Sequence, residues 1–516
     1  MNKNLLIRVL AITTAASVVF GLSSCNLGGQ ISSSSESATS SLSTEPTTEE
    51  TSETETEPDK TQIEFNATKK IAVETTEKKK VYQSKNADEC VILANGEKKK
   101  INLATPDIKK AGDSANIDNS AIFGTNSAVL AMNNTRLYIA GGTITTQAKG
   151  AAGVFGYAGY GNVAGITGDG TKVTLSDAKI TTSGDNSAGI ASTYGATFNI
   201  TNLTVETSGK SSPAISLGKD GGNVTITKGT YTTNGTGSPV VYGTGKVTIK
   251  SSNLIANNSQ GVVVDENSEV SLADSNLTCN NTTRSEKARF QYGVMLYQKV
   301  PVGYFDNNTM AVFSMANGTL TNKAGHIFHI TNAKGVVNLS NVKIVNESKD
   351  NVFLSVGPDG WTGGNNVAII NSTNTAISGD ILVAKEGKLT ANFSTGTNFT
   401  GAFKGAFKDA DGKEVSKEPG IIHVNLGDGA TWTLTDDTFI TSFSGNMDNV
   451  NLNGHTLNVS GETTKPTAAP TSKPATVKKP TKKPTKKPTK KPTKKPTKKP
   501  KPAQTTADPN AQQQNP

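Results

Sequence analysis

From Arg136 to Val264 apolar residues return at three fixed offsets, and polar or small residues fill the positions between them. With Ile139, Leu175, Ile200, Ile226 and Ile249 as origins, the fifth residue on is Ile144, Ile180, Val205, Tyr231 and Leu254. The fifteenth is Val154, Ile190, Ile215, Val241 and Val264. A sixth copy at Leu272 keeps Leu277 but has Lys287 in the third slot, which marks an insertion. Around each anchor the pattern alternates, as in Val173-Thr174-Leu175, the signature of a strand with one buried face. Nine residues past the origins stand Gly184, Gly209, Gly235, Asn258 and Asn281, types that tolerate a left-handed backbone, so a tight corner is expected there.

Origins from Leu175 to Leu272 lie 25, 26, 23 and 23 residues apart, too short for a strand–helix–strand crossover. Three short strands per coil fit this length. If each strand pairs in parallel with its equivalent in the next coil, the anchors stack into one interior and the backbone groups find partners. Weaker copies at Val337-Asn338-Leu339, Val367 to Ile370, Trp432-Thr433-Leu434 and Val450-Asn451-Leu452 extend the pattern. The expectation is an all-β parallel β-helix, a solenoid of roughly 16 coils and about 80 Å at the spacing between strands. The triplets Asn199-Ile200-Thr201 and Asn223-Val224-Thr225 have the form of glycosylation acceptors, but Asn and Thr at equivalent positions of successive coils are read as stacked ladders.

Charge divides the rest of the chain. Residues 30 to 60 hold eight acidic residues and one lysine among runs of Ser and Thr, a composition that cannot bury enough apolar surface to fold. From Thr464 to Pro516 there are fifteen lysines and one aspartate, largely in Lys-Lys-Pro-Thr repeats that favour polyproline II. Between these arms, Thr61 to Gly461 carries 33 acidic and 34 basic residues, so all but one unit of the formal +9 belongs to the arms. At the start, Lys3 and Arg8, an apolar run from Val9 to Phe20, and Leu22-Ser23-Ser24-Cys25 read as an export signal that ends at a cysteine. The divisions expected are a signal peptide over 1–24, a disordered stalk over 25–61, an N-terminal cap over 62–120, the parallel β-helix over 121–463 and a disordered tail over 464–516. Cys90 and Cys279 form no disulfide framework, and each is read as a small residue packed inside.

The pattern Val-Thr-Leu/Ile, Thr-Thr-Ser/Asn-Gly, Ser-Ala/Pro-Ala-Ile/Val, extended by Tyr292-Gly-Val-Met-Leu-Tyr297-Gln, resembles the adhesin-like right-handed β-helix proteins of Gram-positive gut bacteria, within the pectin-lyase-like fold group. Leu-Ser-Ser-Cys resembles the lipobox of bacterial lipoproteins, which implies S-acylation of Cys25 and a place on the extracellular face of the cell membrane. The fold group holds lyases, hydrolases and non-catalytic adhesins, so it implies architecture more than activity. A non-catalytic adhesin or glycan-binding rod is the leading expectation, and a polysaccharide lyase or glycoside hydrolase is the alternative.

No catalytic constellation emerges from the spacing. Asp177 and Asp274 share an offset but stand four coils apart, roughly 19 Å, beyond the reach of a glycosidase pair. Asp436 and Asp437 are adjacent and point to opposite faces of a strand. Asp409-Ala-Asp411-Gly-Lys-Glu414 is read as a polar turn. His326 and His329, three apart, fall on opposite faces of a strand, and neither metal nor cofactor is expected. Arg284 and Arg289 flank the insertion. Between Asn280 and Met315, Phe290, Tyr292, Tyr297, Tyr304 and Phe305 concentrate aromatics in a chain where these are 5%. Their faces suit stacking on sugars, or else they pack over the coil flank and close the insertion. Tyr157 and Tyr160 are a second such pair. Lys478, Lys479, Lys482, Lys483, Lys486 and Lys487 in the tail suit diffuse contact with anionic wall polymers, and export argues against nucleic acid.

Overall fold

The computed structural model describes residues 63–160, 168–265, 267–285, 288–298, 310–360, 366–460 and 462–464. It is all-β, 56% strand against 3% helix. The chain divides into two compact units, Met1–Pro466 and Thr467–Pro516, of which the second lies outside the described residues. In the first, strands pair in parallel with their equivalents one repeat on. Lys172–Ser176 pairs with Arg136–Ala140 before it and with Thr197–Thr201 after it, Leu175 facing Ile139 and Ile200. Lys179–Thr182 pairs in the same way with Thr143–Thr146 and with Thr204–Thr207. Ile190 faces Val154 and Ile215. All three anchor positions thus meet their copies in register, an arrangement consistent with a solenoid.

The first two strands of the coils build an 18-stranded sheet and the third strands a 13-stranded one. The pairing begins earlier than the repeat suggested. Within the expected cap, Asn66–Ile71 pairs with Glu89–Ala94, Thr75–Lys78 with Lys100–Ala104 and Val81–Ser84 with Asp107–Lys110. Most charges of this stretch lie on exposed or half-buried positions, the exception being Lys110, buried with its ammonium on the carbonyls of Asn86, Ala111 and Gly112, while Ile71, Ile92, Ile101 and Ile108 join the common interior. One short helix, Ile117–Phe123, capped by Asn116 and closed by left-handed Gly124, precedes the next coil.

The corners correct one expectation. Gly184, Gly209 and Gly235 are not left-handed; left-handed residues stand two past the origins, at Asp177, Asn202, Lys228, Ser251 and Asp274 with φ between 50° and 63°, and two past the glycines, at Asn186, Ser211 and Gly237. Glycine is required nine past the origin for a different reason. A Cβ on Gly209 would stand 1.9 Å from the carbonyl oxygen of Gly184, and one on Gly235 1.8 Å from that of Gly209, so successive backbones touch. Side-chain ladders do form. Ser187, Ser212 and Ser238 hand hydroxyls up the stack, the Ser187 amide donating to Ser212 Oγ (3.0 Å) and the Ser212 amide to Ser238 Oγ (2.9 Å). Outside, Asn341 donates to Asn317 and Asn374 to Asn341 at 2.9 and 3.0 Å. These bonds satisfy corner groups that strand pairing leaves over.

The two sheets differ in what covers them. In the 18-stranded sheet burial alternates along the strand, as in Lys246–Ala256, so one face is core and the other is open. Strands of the 13-stranded sheet, such as Val129–Met132, Ile190–Thr193, Tyr292–Tyr297 and His326–Thr331, are buried at every residue. Something therefore lies on its outer face. Near the N-terminal end it is the short helix, whose Ile122 carbonyl accepts from Thr193 Oγ1, together with Phe65, stacked on Tyr157. Further along it is the insertion.

Candidate functional site

The insertion flank is built on four neighbouring strands of the 13-stranded sheet, Val262–Asp265, Tyr292–Tyr297, His326–Thr331 and Val352–Val356. Outward side chains of the first two, Val263, Tyr292, Met295 and Tyr297, join Tyr242 of the preceding strand Val241–Gly243 and Ala288 and Phe290 of the insertion in a second apolar cluster separate from the main core. Over it lies an antiparallel hairpin, Phe407–Lys408 paired with Glu414–Ser416, which contributes Phe407 and Val415. The hairpin leaves the coil at Phe403–Lys404 and reaches back to the earlier insertion, where the Ala410 amide donates to the Arg289 carbonyl (3.1 Å) and Arg284 Nη2 to Asp411 Oδ1. Its tip is the polar turn expected, Asp409 Oδ1 accepting the amides of Asp411 and Lys413.

Beneath this cover is a polar cluster that spacing alone did not reveal. Ser355 Oγ lies 2.8 Å from His326 Nδ1 and 2.7 Å from His329 Nδ1. His329 Nε2 is 3.2 Å from Asp359 Oδ2, and Tyr292 stacks on the His329 ring at 4.9 Å. Asp359 Oδ1 accepts the amides of Arg289 (2.6 Å) and Gly360 (2.7 Å). Exposure is 5% at His326, 1% at His329 and Ser355, and 4% at Asp359. Burial, joined by the charge of His329, pushes His326 down to about 3. Burial also works against the Asp359 carboxylate, but the hydrogen bond and charge of His329 and the two amides more than offset it, and Asp359 stays below the usual carboxylate range.

The two histidines were expected on opposite faces, and they share one. Ile327 and Phe328, between them, are consecutive core residues, so the strand does not alternate at that point. The neighbouring strand shows the same departure at Phe353 and Leu354, with a register shift between Val352 and Leu354. The signal was in the repeat: His326-Ile-Phe-His329 aligns with Tyr292-Gly-Val-Met295, whose first and last residues both belong to the outer cluster.

Of the aromatics named from sequence, Phe290, Tyr292 and Tyr297 are buried together, and Tyr304 and Phe305 lie outside the described residues. Tyr242 Oη donates to Asp265 Oδ2 at 2.6 Å and lies 3.3 Å from Tyr297 Oη; burial, then the Asp265 charge, raises both phenols well above their ordinary range. Tyr157 is buried, whereas Tyr160 is 42% exposed and meets Phe65 edge-on. Cys25 and Lys478, Lys479, Lys482, Lys483, Lys486 and Lys487 also lie outside the described residues. Cys90 and Cys279 are free and buried, and burial pushes both thiols up to about 12. Among the described residues no helix is long and apolar enough to cross a membrane.

One carboxylate pair does converge. Lys404 Nζ lies 2.8 Å from Asp380 Oδ2 and 3.0 Å from Asp436 Oδ2. Partial burial opposes the Lys404 charge, yet the two carboxylates hold its ammonium above the usual range, and contact with Lys404 lowers Asp436. A glycosidase acid needs the opposite shift.

The fold and flank define a parallel-sheet coil protein with an open polar sheet on one side and a covered histidine–aromatic cluster on the other. Compared with known protein families, curated proteins and solved structures, the chain matches none of them.

Proposed function

We propose that the chain is a non-catalytic surface lipoprotein, anchored through Cys25, whose body is a right-handed parallel β-helix that presents its open sheet to glycans. The observation that carries this reading is an unbroken outward row on the 18-stranded sheet. Thr174, Asn199, Thr225, Thr248, Ser271, Ser314, Asn338, Asn371, Asn392 and Asn425 meet in register. From Ser314 onward they are joined by side-chain hydrogen bonds of 2.7 to 3.0 Å. Carboxamides and hydroxyls at the roughly 4.8 Å strand spacing offer donors and acceptors to a polymer that repeats hydroxyl groups. Mutual bonding holds the amides in place before a ligand arrives, which lowers the entropic cost of binding. In this reading the tail lysines touch anionic wall polymers while the lipid holds the other end.

The test is a glycan array probed with the mature chain. Binding to a subset of polysaccharides, weakened at least tenfold in Asn338→Ala/Asn371→Ala, is the result expected; no binding, or binding indifferent to that pair, removes the reading. The alternative, a polysaccharide-cleaving enzyme, would draw on the pair Asp380 and Asp436 that meets at Lys404, whose contact lowers Asp436 against the role of a catalytic acid. Turnover of an acidic polysaccharide that Asp436→Asn abolishes would establish it instead.

A further inference from the structure

We propose that the hairpin Phe407–Ser416 is a strap, closed over the His326–Ser355–His329–Asp359 cluster, that lifts when His326 takes up a proton. The proposal concerns the covered flank and stands apart from the polar row.

Three features make the hairpin separable from the coil it covers. Among the described residues its two strands pair only with each other, so no sheet hydrogen bond between the coils breaks when it moves. Among the described residues its tip is tied by one backbone bond, from Ala410 to Arg289, and by the partly exposed Arg284–Asp411 pair, and its end by the Lys385 amide donating to Ser416 Oγ at 3.0 Å. Its apolar hold is Phe407 and Val415 against the cluster, with the Phe407 ring 6.2 Å from that of Phe290. Phe290 in turn lies over His326 at 4.5 Å and His329 at 5.8 Å, so the hairpin, Phe290 and the histidines form three successive layers.

The bottom layer accepts one positive ring at most. The two Nδ1 atoms are no more than about 5.5 Å apart through Ser355 Oγ. Ser355 Oγ has a single proton for the two Nδ1 atoms, so one ring donates to it and the other accepts from it. Protonating both rings would place two buried cations against one carboxylate and leave the serine hydroxyl without that acceptor.

The groups facing His326 agree. Its own strand brings His329; the strand Val352–Val356 and the residues after it bring Ser355 and Asp359; Tyr292–Tyr297 brings Tyr292, whose hydroxyl lies 3.4 Å from Asp359 Oδ2. The insertion brings Arg284, which has Asp411 as partner, and the Arg289 amide, which serves Asp359. The hairpin brings Lys408, Asp409, Asp411, Lys413 and Glu414. Lys408, Asp411, Lys413 and Glu414 are exposed, and Asp409 is held by amides of its own turn. Asp359, the carboxylate at the cluster, is already engaged by His329.

The direction of the pH effect follows. Under the strap burial lowers His326 to about 3, and opening relieves part of that burial and moves it back toward the ordinary 6.5. The open form then binds the proton more tightly than the closed form, so lowering pH favours opening. From pH 7.5 to 5.0 the open-to-closed ratio should rise, by at most about 30-fold, the figure for a full return to the ordinary value. Amide hydrogen exchange on the mature chain, corrected for the pH dependence of intrinsic exchange, reads this at Ala410. Protection there should fall, by at most about 30-fold, while that of Ile249, in a regular coil, holds, and His326→Gln should remove the change. Protection that does not depend on pH, or a fall retained in His326→Gln, overturns the proposal. Exchange at the imidazole C2 carbon of the unaltered protein gives a check independent of the variant. If His326 titrates near 6.5 while Ala410 remains protected at pH 5, the strap is not what excludes the proton and the proposal fails.

Discussion

The regular coils from Lys172 to Cys279 and the interrupted stretch from Asn280 to Gly420 share one interior but are held by different kinds of contact. In the regular coils each bond recurs one repeat on: Thr182, Thr207 and Ser187, Ser212 make the same hydroxyl-to-carbonyl contacts in successive coils. Beyond Asn280 the asparagine ladders of the 18-stranded sheet still recur, but over the outer face of the 13-stranded sheet the contacts occur once. Arg284 meets Asp411 across 127 residues of sequence, and His326 and His329 close on one serine. Repetition gives stability through sums of identical small terms, and it leaves little freedom, because whatever a residue does must be tolerated by its copies. Interruption frees the outer face of one sheet to hold groups that a ladder cannot. The chemically distinctive cluster accordingly sits where the repeat breaks.

The sharpest way to break this comparison is to add one methyl group to the regular region. In Gly209→Ala the new Cβ would stand 1.9 Å from the Gly184 oxygen and 2.4 Å from its carbon, both backbone atoms fixed by strand pairing on either side. No side-chain rotation relieves it. Loss of about 4 kcal/mol or more is expected, at the upper end for a single substitution, and denaturant midpoints of wild type and variant measure it. A loss under about 1 kcal/mol would show that the coils slide apart easily and that the stacking is looser than its geometry.

Removing one rung should cost less. Ser212→Ala deletes a buried hydroxyl that accepts from the Ser187 amide and donates to the Gly184 carbonyl, leaving both without that partner. An unsatisfied buried pair of this kind costs about 2 kcal/mol. The same denaturation experiment should place Ser212→Ala between wild type and Gly209→Ala.

Sequence carried the regular region well, since hydrophobic slots report directly on which side chains meet. Leu175, Ile200, Ile226, Ile249 and Leu272 were aligned by offset and do pair in that register. It carried the corners less well. A glycine states that a Cβ is excluded, but not whether φ or a neighbour excludes it; Gly209 is excluded by a neighbour, while left-handed φ falls on Asn202 and Lys228, where a polar side chain can bond along the ladder or reach solvent. It carried the histidine cluster least. Strict alternation separated His326 from His329 because it took no account of two inward residues in succession. Ser355 and Asp359 join them from another coil, at a distance in sequence that no local pattern spans.

The mildest perturbation repeats the glycine-to-alanine change at Gly412, in the tip of the hairpin. There φ is +77° and nothing stands within 4 Å of the position a Cβ would take, so the neighbours that condemn Gly209→Ala are missing and only the left-handed backbone remains to be opposed. That term is about 1 kcal/mol. It falls on a two-stranded hairpin whose opening breaks no pairing of the solenoid, so it should not propagate. The denaturation midpoint of Gly412→Ala is expected to match wild type, while protection of the Ala410 amide falls several-fold at neutral pH. If the midpoint moved as far as it does in Ser212→Ala, the hairpin would be part of the cooperative body, and the division between a repeating frame and a singular, separable cover would not hold.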